Sequence, residues 1–330
     1  MRRKKRRKDE GRRQKDGRKM RNKNKKETLT LKDASESRNK RKGKNEDNKM
    51  KGKIHPSSFR LLPLNRPPIS KEHGSWAMLI VPLLLGTIIA PVWHWRTLLL
   101  FVAAVGFFLS RYPLSILVRK RKRDQDKRAY LLRWTAIYAG ITALSGGWLV
   151  FAERLWLLAL MGVIGALLVA FNLWLIANKK QMSLMGELSG IAGLALGAPM
   201  AYYVASGYLD QTAIILWLLN ALYFGGTVFY IKLKVRQQPK QPAPDKISKR
   251  LIRAKACLAY HTTVLILVFA LVTLQKAPAL TPLAFIPVMV KVFRGAVNWQ
   301  DKKTLSLVRL GFTELFHSAA FMILVIVAFK

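Results

Sequence analysis

The chain has 330 residues, 51% of them hydrophobic, and its 57 Lys and Arg against 17 Asp and Glu give a formal net charge of +40. A soluble enzyme does not combine so much apolar sequence with so much positive charge, and a fully disordered chain does not carry long apolar runs. The single cysteine, Cys257, excludes an intrachain disulfide and a multi-cysteine metal cluster.

The first segment, residues 1–54, is a basic tail. Residues 1–50 alone hold 23 Lys or Arg and 8 Asp or Glu, without an aromatic residue. Such a segment cannot bury a core, so we predict that it is disordered. Its charge suits contact with anionic membrane lipids, whereas specific nucleic-acid binding is not expected without aromatic residues for base stacking. Alternatively, translation begins at Met50 and the residues before it are not part of the cellular protein.

After the tail, long apolar runs alternate with short basic stretches. A helix needs about 17–25 apolar residues to cross a hydrocarbon layer of about 30 Å. We therefore predict an all-α polytopic transmembrane helical bundle of about nine spans in residues 70–330. The runs are 75–92, 97–118, 130–151, 155–177, 184–206, 211–231, 255–275, 278–293 and 305–329. Three prolines in the eighth run predict a short, broken helix there.

Every second connection between these runs is rich in Lys and Arg. The connection at 119–128 holds seven such residues and the one at 232–255 holds nine, while the alternate connections hold almost none. Because cytoplasmic loops are enriched in Lys and Arg, we predict a cytoplasmic N-terminus and an outside C-terminus in the inner or plasma membrane. The sequence QQPKQPAPD at 237–245 predicts a flexible cytoplasmic linker at 234–250.

The entry to the first span, KEHGSWAMLIVP at 71–82, carries the first candidate site residues. Glu72 and His73 can exchange protons near neutral pH, which makes them candidate catalytic residues. Trp76 is a candidate ligand-binding ring. The plainer alternative is an ordinary membrane entry, in which Glu72 caps the helix and Trp76 anchors it at the interface.

Ionisable residues inside spans are further candidates, because each is unfavourable in hydrocarbon unless it is paired or faces water. Glu187 lies in the glycine-rich fifth run, where it alternatively reaches water or Lys180. Glu314 and His317 stand three residues apart and share one helical face, which suits proton handling, substrate orientation or interhelical hydrogen bonding. A metal site would need a second such pair, so none is predicted.

Four basic residues near the predicted cytoplasmic side are candidate partners for a phosphate or carboxylate. They are Arg111, Lys232, Arg236 and Arg294. An arginine offers a forked set of donors to such an anion, although Arg111 alternatively extends only to the membrane interface.

Several of these segments together resemble the YwiC-like family of bacterial membrane proteins. They are HGSWAMLIVPLLLG, SRYPL, GELSG and GFTELFHS, and the resemblance covers about residues 70–329. The most specific segment is HGSWAML. The resemblance implies a multi-pass membrane protein and leaves its chemistry open.

A more distant similarity is to the UbiA-type prenyltransferases, which are nine-span bundles with a cytoplasmic active site. The span count, the two long basic loops and the stretch NKKQMSLMGELSGIAGLALGAP carry it. Those enzymes hold Mg²⁺ and an isoprenoid diphosphate with two aspartate-rich motifs, whereas this chain offers only Asp124 and Asp126 in one loop and Asp245 in the other. Loops so rich in Lys and Arg repel a divalent cation but can hold a diphosphate directly, so no cofactor is evident and Mg²⁺ is not expected.

Three functions remain open at this point. The first is binding of a lipid, prenyl or quinone-like ligand at the cytoplasmic side, and the second is UbiA-like prenyl transfer with Glu72 and His73 as acid and base. The third is transport, favoured by the broken eighth run and by Glu187, Glu314 and His317. The expected partners are membrane lipids and an isoprenoid or lipid phosphate.

Overall fold

The computed structural model describes residues 67–68, 73–119, 125–180, 183–240, 242–299 and 306–330, with no side-chain placement for His73 and Asp126. Residues Leu64–Lys330 form one compact unit. The predictions for the tail at 1–54, for Glu72 and for Asp124 lie outside the described residues.

The secondary structure of the described residues is helical, without a strand. The α-helices are α1 His73–Ile89, α2 Arg96–Arg119, α3 Gln125–Phe151, α4 Trp156–Ala177, α5 Leu184–Ala195, α6 Gly197–Ser206, α7 Gln211–Ile231, α8 Ile247–Arg253, α9 Lys255–Thr273, α10 Ile286–Val297 and α11 Leu307–Phe329. A 3-10 turn, Thr281–Phe285, precedes α10.

All nine predicted apolar runs coincide with helical segments, which confirms an all-α, multi-pass membrane protein. Among the described residues, seven segments are long and apolar enough to cross a membrane: α2, α3, α4, α5 with α6, α7, α9 and α11. The two shorter ones are α1 and the eighth run. The eighth run is divided as predicted, because Pro282 and Pro287 each lie at the start of a new helical segment, where a missing N–H does no harm.

Polar contacts confirm that alternate connections meet at the same end of the bundle. At one end, Arg96 at the start of α2 pairs with Glu153 after α3 at 2.7 Å, and the Nζ of Lys276 after α9 donates to Gln211 at the start of α7 over 3.1 Å. The opposite end is where α2, α4, α7 and α10 finish and where α1 begins. We call it the basic end.

The segment after α7 differs from the predicted linker at 234–250. Helical structure continues past α7 as the π-helical turns Lys232–Gln237, followed by a 3-10 turn, Gln238–Lys240. Gln238 is fully buried and its side chain donates to the main-chain oxygen of Gly295 over 2.8 Å. Contacts with α10 therefore hold the first part of this stretch. Residues 242–246 have no helical structure, and α8 begins at Ile247.

The short helix α1 lies inside the bundle, where it packs against α6 and α11. Leu83 and Leu85 are 1% and 0% exposed. A Cβ at Gly86 would overlap the main-chain oxygen of Ala198, so glycine permits the close approach of α1 and α6. This packing places the first turn of α1 at the basic end, among the ends of its neighbours.

Candidate functional site

A cavity of about 340 Å³ opens at the basic end, and we call it the polar chamber. The first turns of α1 and α5 and the last turns of α2 and α4 contribute to its wall. Its polar lining includes Ser75, Arg111, Tyr112, Arg119, Asn172 and Glu187. Two of these residues, Arg111 and Glu187, were predicted from the sequence as ligand-binding.

Arg111 is held in the chamber wall by a relay of hydrogen bonds across three helices. Its Nη2 donates to Oδ1 of Asn172 in α4 over 3.0 Å, and Nδ2 of Asn172 donates to the main-chain oxygen of Gly186 in α5 over 2.7 Å. Asn172 is 4% exposed. The buried amide therefore fixes the guanidinium at the cavity instead of leaving it extended toward the membrane surface.

Glu187 joins the chamber to the π-helical turns after α7. Its carboxylate lies 2.6 Å from Nζ of Lys232 and 3.9 Å from Nη2 of Arg236. Lys180, the alternative partner considered from the sequence, is exposed. Two cations thus surround one carboxylate, and with Arg111 the balance of charge at the chamber is positive.

The entry segment of the first span borders the same chamber. His73 is the first residue of α1, and Ser75 and Met78 lie in the chamber wall. Trp76 packs edge-on against Phe108 of α2, with ring centroids 5.1 Å apart. Trp76 therefore contacts a wall residue of the chamber.

A second space of about 300 Å³, the apolar chamber, continues from the polar chamber toward the middle of the bundle. It lies among α1 to α6, and leucine, phenylalanine, alanine and glycine residues dominate its wall. The two chambers share Phe108, Arg111, Asn172, Gly190 and Leu194. A Cβ at Gly190 would lie 3.7 Å from Nη2 of Arg111, so this glycine marks the junction directly beside the guanidinium.

The other three predicted residues lie around a different pocket. Arg294 and His317 line a space between the π-helical turns, α10 and α11. Nδ1 of His317 donates to the main-chain oxygen of Thr313 over 2.7 Å. Glu314 is 7% exposed, and both of its oxygens accept from Nζ of Lys291 over 2.9 Å. Although Glu314 and His317 lie on neighbouring turns, only His317 lines the pocket.

Sequence reasoning missed Asn172, Lys234 and Lys291 as site residues. A signal existed for Asn172, since a buried amide in a span needs partners. Glu314 in an apolar run likewise called for a cation on a neighbouring helix. Within the described ranges, no three His, Cys, Asp or Glu side chains gather as a metal-binding group.

Comparisons with known proteins agree with the resemblance seen in the sequence. Residues 69–202, which contain α1 to α5 and the first part of α6, match the family described as YwiC-like protein. The uncharacterized protein YwiC of Bacillus subtilis is 26% identical over 174 residues, which are 52% of this chain and 68% of that relative. An uncharacterized protein of Haemophilus influenzae is 27% identical over 262 residues, 79% of this chain and 98% of the relative.

No solved structure matches the chain, so the UbiA-like architecture stays a prediction. The segment matched by the family holds almost the whole lining of both chambers, from Ser75 to Met200. The chain is therefore similar to the YwiC-like family over residues 69–202, and both relatives support that similarity.

Proposed function

We propose that this protein binds an amphipathic lipid that has a phosphate head group and a single isoprenoid or acyl chain. The observation that carries the proposal is the union of the two chambers: a polar space with a fixed arginine opens directly into an apolar space inside the bundle. A ligand that fills both must have one charged end and one apolar end.

The polar chamber has the chemistry of an anion site. A guanidinium makes strong, directional hydrogen bonds to phosphate oxygens, and Arg111 is already positioned by Asn172. The first turns of α1 and α5 reach the same wall, with Ser75 and Gly186 at their third positions. Because the N-terminus of a helix carries partial positive charge, both helices add to the attraction for a negative head group.

The apolar chamber suits one hydrocarbon chain. Its volume of about 300 Å³ is at the lower end of the range for small-molecule sites, roughly 300–1,000 Å³. Gly162, Gly165 and Gly193 keep side chains out of this space. A chain with isoprenoid branches or a single acyl chain fits such a space, whereas a two-chain phospholipid would leave one chain outside it.

The direct test is the thermal unfolding of the full chain in detergent with farnesyl phosphate, farnesol or inorganic phosphate. Farnesyl phosphate at about 100 times its dissociation constant should stabilise the protein by about 2.7 kcal/mol. If farnesol stabilises the protein as much as farnesyl phosphate does, the phosphate group contributes nothing, and the result points to a quinone-like ligand instead. A requirement for Mg²⁺ would favour prenyl transfer, and the absence of a shift with farnesyl phosphate beyond that with inorganic phosphate would overturn the proposal.

Arg111→Gln is expected to weaken farnesyl phosphate binding about 10- to 100-fold, because hydrogen bonds to charged groups contribute about 1.5–3 kcal/mol. The dissociation constant, measured from the same unfolding titrations, checks this expectation. Arg133→Gln is the matched control, since Arg133 is exposed on α3 and lines neither chamber. Equal affinities for the two variants would remove Arg111 from the head-group site.

We also propose that the protein lies in the cell membrane with its basic end on the cytoplasmic side and Lys330 on the outer side. The excess of Lys and Arg at that end supports this orientation. In spheroplasts of cells that make a Cys257→Ala protein, a membrane-impermeant maleimide should label Lys276→Cys and spare Lys249→Cys. Both positions are exposed, at opposite ends of the bundle. The reverse labelling pattern would invert the topology.

A further inference from the structure

The pocket between the π-helical turns, α10 and α11 has a volume of about 330 Å³ and also opens at the basic end. We call it the cationic pocket. Its polar lining includes Lys234, Arg294, Asn298, Arg309, Thr313 and His317. The lipid chambers do not share these residues, and the family match at 69–202 does not include them.

Lys234 is the unusual member of this pocket. The residue is 4% exposed, and its Nζ donates to the main-chain oxygen of Asn298 over 2.9 Å. That acceptor is neutral, so the hydrogen bond does not compensate the charge. A buried cation is unfavourable unless a negative group pairs with it.

The surroundings of Lys234 do not supply that negative group. No carboxylate among the described residues forms an ion pair with Lys234, Arg294 or Arg309. Glu314 is the nearby acid in α11, and Lys291 already occupies both of its oxygens. Three positive side chains thus converge on a space that contains no fixed negative charge from the described part of the chain.

We propose that the cationic pocket binds a small water-soluble phosphate, as a site separate from the lipid chambers. Two arginines offer forked donors to phosphate oxygens, and the buried Lys234 adds a point charge. Nine of the twelve residues in its wall have polar or charged side chains, and none of the twelve lines the apolar chamber. A free phosphate or a small organic phosphate therefore fits better than the head group of a lipid.

The π-helical turns connect the two sites. Lys232 and Arg236 contact Glu187 at the polar chamber, while Lys234, between them in sequence, lies in the cationic pocket. Segments of π-helix are rare and occur frequently at functional sites. Residues two apart in such a segment point to opposite sides, so Lys234 faces away from Lys232 and Arg236.

The test is a titration of the full chain in a nonionic detergent with sodium phosphate, against sodium chloride at equal ionic strength. Phosphate is expected to raise the midpoint of thermal unfolding saturably, beyond the effect of chloride. Lys234→Met and Arg309→Gln should each weaken this response at least tenfold. Lys249→Gln, which removes one exposed charge at the same end, should keep it.

Other outcomes would overturn the proposal. If phosphate has no effect, or if both Lys234→Met and Arg309→Gln respond like the unaltered chain, phosphate does not bind in this pocket. If dioctanoyl phosphatidate stabilises in a Lys234-dependent manner and phosphate does not, the pocket holds a lipid head group and the water-soluble assignment is wrong. Arg309 is exposed, so its variant keeps the test valid should Lys234→Met fail to fold.

This experiment separates the cationic pocket from the lipid site. Lys234→Met should still be stabilised by farnesyl phosphate, because Lys234 lines neither chamber. Failure of the farnesyl phosphate response in the unaltered chain, with the phosphate response intact, would reject the lipid proposal alone.

Discussion

Replacing Lys291 with Met is expected to lower the free energy of unfolding by about 3–5 kcal/mol, because the change leaves a buried carboxylate without its counter-ion. Glu314 is 7% exposed and both of its oxygens accept from Nζ of Lys291. The same Nζ lies 4.7 Å from the ring centroid of Tyr230, so the ammonium also has an aromatic neighbour. Unfolding by SDS in mixed micelles, monitored by tryptophan fluorescence, measures the decrease in the free energy of unfolding.

The double variant Lys291→Met with Glu314→Met separates the ion pair from simple packing. Because both charges are then absent, most of the lost stability should return. Arg96→Met is a matched control at the other end of the bundle. It breaks the pair with Glu153, whose side chains are 27% and 19% exposed, and should lose about 1 kcal/mol or less. A double variant as unstable as Lys291→Met would show that the lysine stem, not its charge, stabilises the contact.

The ion pair also bears on the transport hypothesis. The sequence places Glu314 and His317 on one helical face, which suggested a shared proton-handling role. In the structure Glu314 joins α11 to α10 through Lys291, while His317 lines the cationic pocket. Any proton movement through Glu314 would have to break this pair first.

The sequence predicted the membrane spans and the placement of alternate connections at the same end of the bundle, because both depend on local composition. An apolar run of sufficient length is helical in a membrane whatever surrounds it, as in α4 and α11. The interior position of α1 could not be predicted in the same way. Leu83 and Leu85 are as apolar as lipid-facing residues, and hydropathy does not distinguish a protein neighbour from a lipid one.

The candidate site was predicted in part for a related reason. Arg111, Glu187, Lys232 and Arg236 share one chamber region, since each lies where a span meets a basic connection. Which of the other candidate residues come together depends on how neighbouring helices are aligned, and a single sequence does not give that alignment.

The sequence also did not predict that the basic residues divide between two pockets, because that division depends on which helices pack together. Arg294 belongs to the cationic pocket because α10 packs beside the π-helical turns and not beside α2. Lys234 was counted only as a charge of the connection at 232–255, and Lys291 only as a charge of the connection after the eighth run. Helical structure nevertheless extends through both positions and buries them.

Gly193→Leu is expected to weaken farnesyl phosphate binding by about two orders of magnitude while sparing a short-chain analogue. A Cβ at Gly193 would lie 3.6 Å from the side chain of Leu168, an ordinary contact, so the first added carbon fits. The rest of the leucine side chain then enters the apolar chamber. If it displaces about four ligand carbons at about 0.8 kcal/mol each, the loss is about 3 kcal/mol.

A ligand with a shorter hydrocarbon chain tests whether Gly193→Leu acts by filling the apolar chamber. Dimethylallyl phosphate does not need the deeper part of the apolar chamber, so its dissociation constant should be nearly the same in Gly193→Leu and in the unaltered chain. Gly140→Leu on α3 is the control, because Gly140 faces open space and lines neither chamber. Loss of both ligands in Gly193→Leu would mean that the head-group site itself is distorted. Unchanged farnesyl phosphate affinity would instead place the chain on the lipid-facing surface, with only the phosphate held beside Arg111.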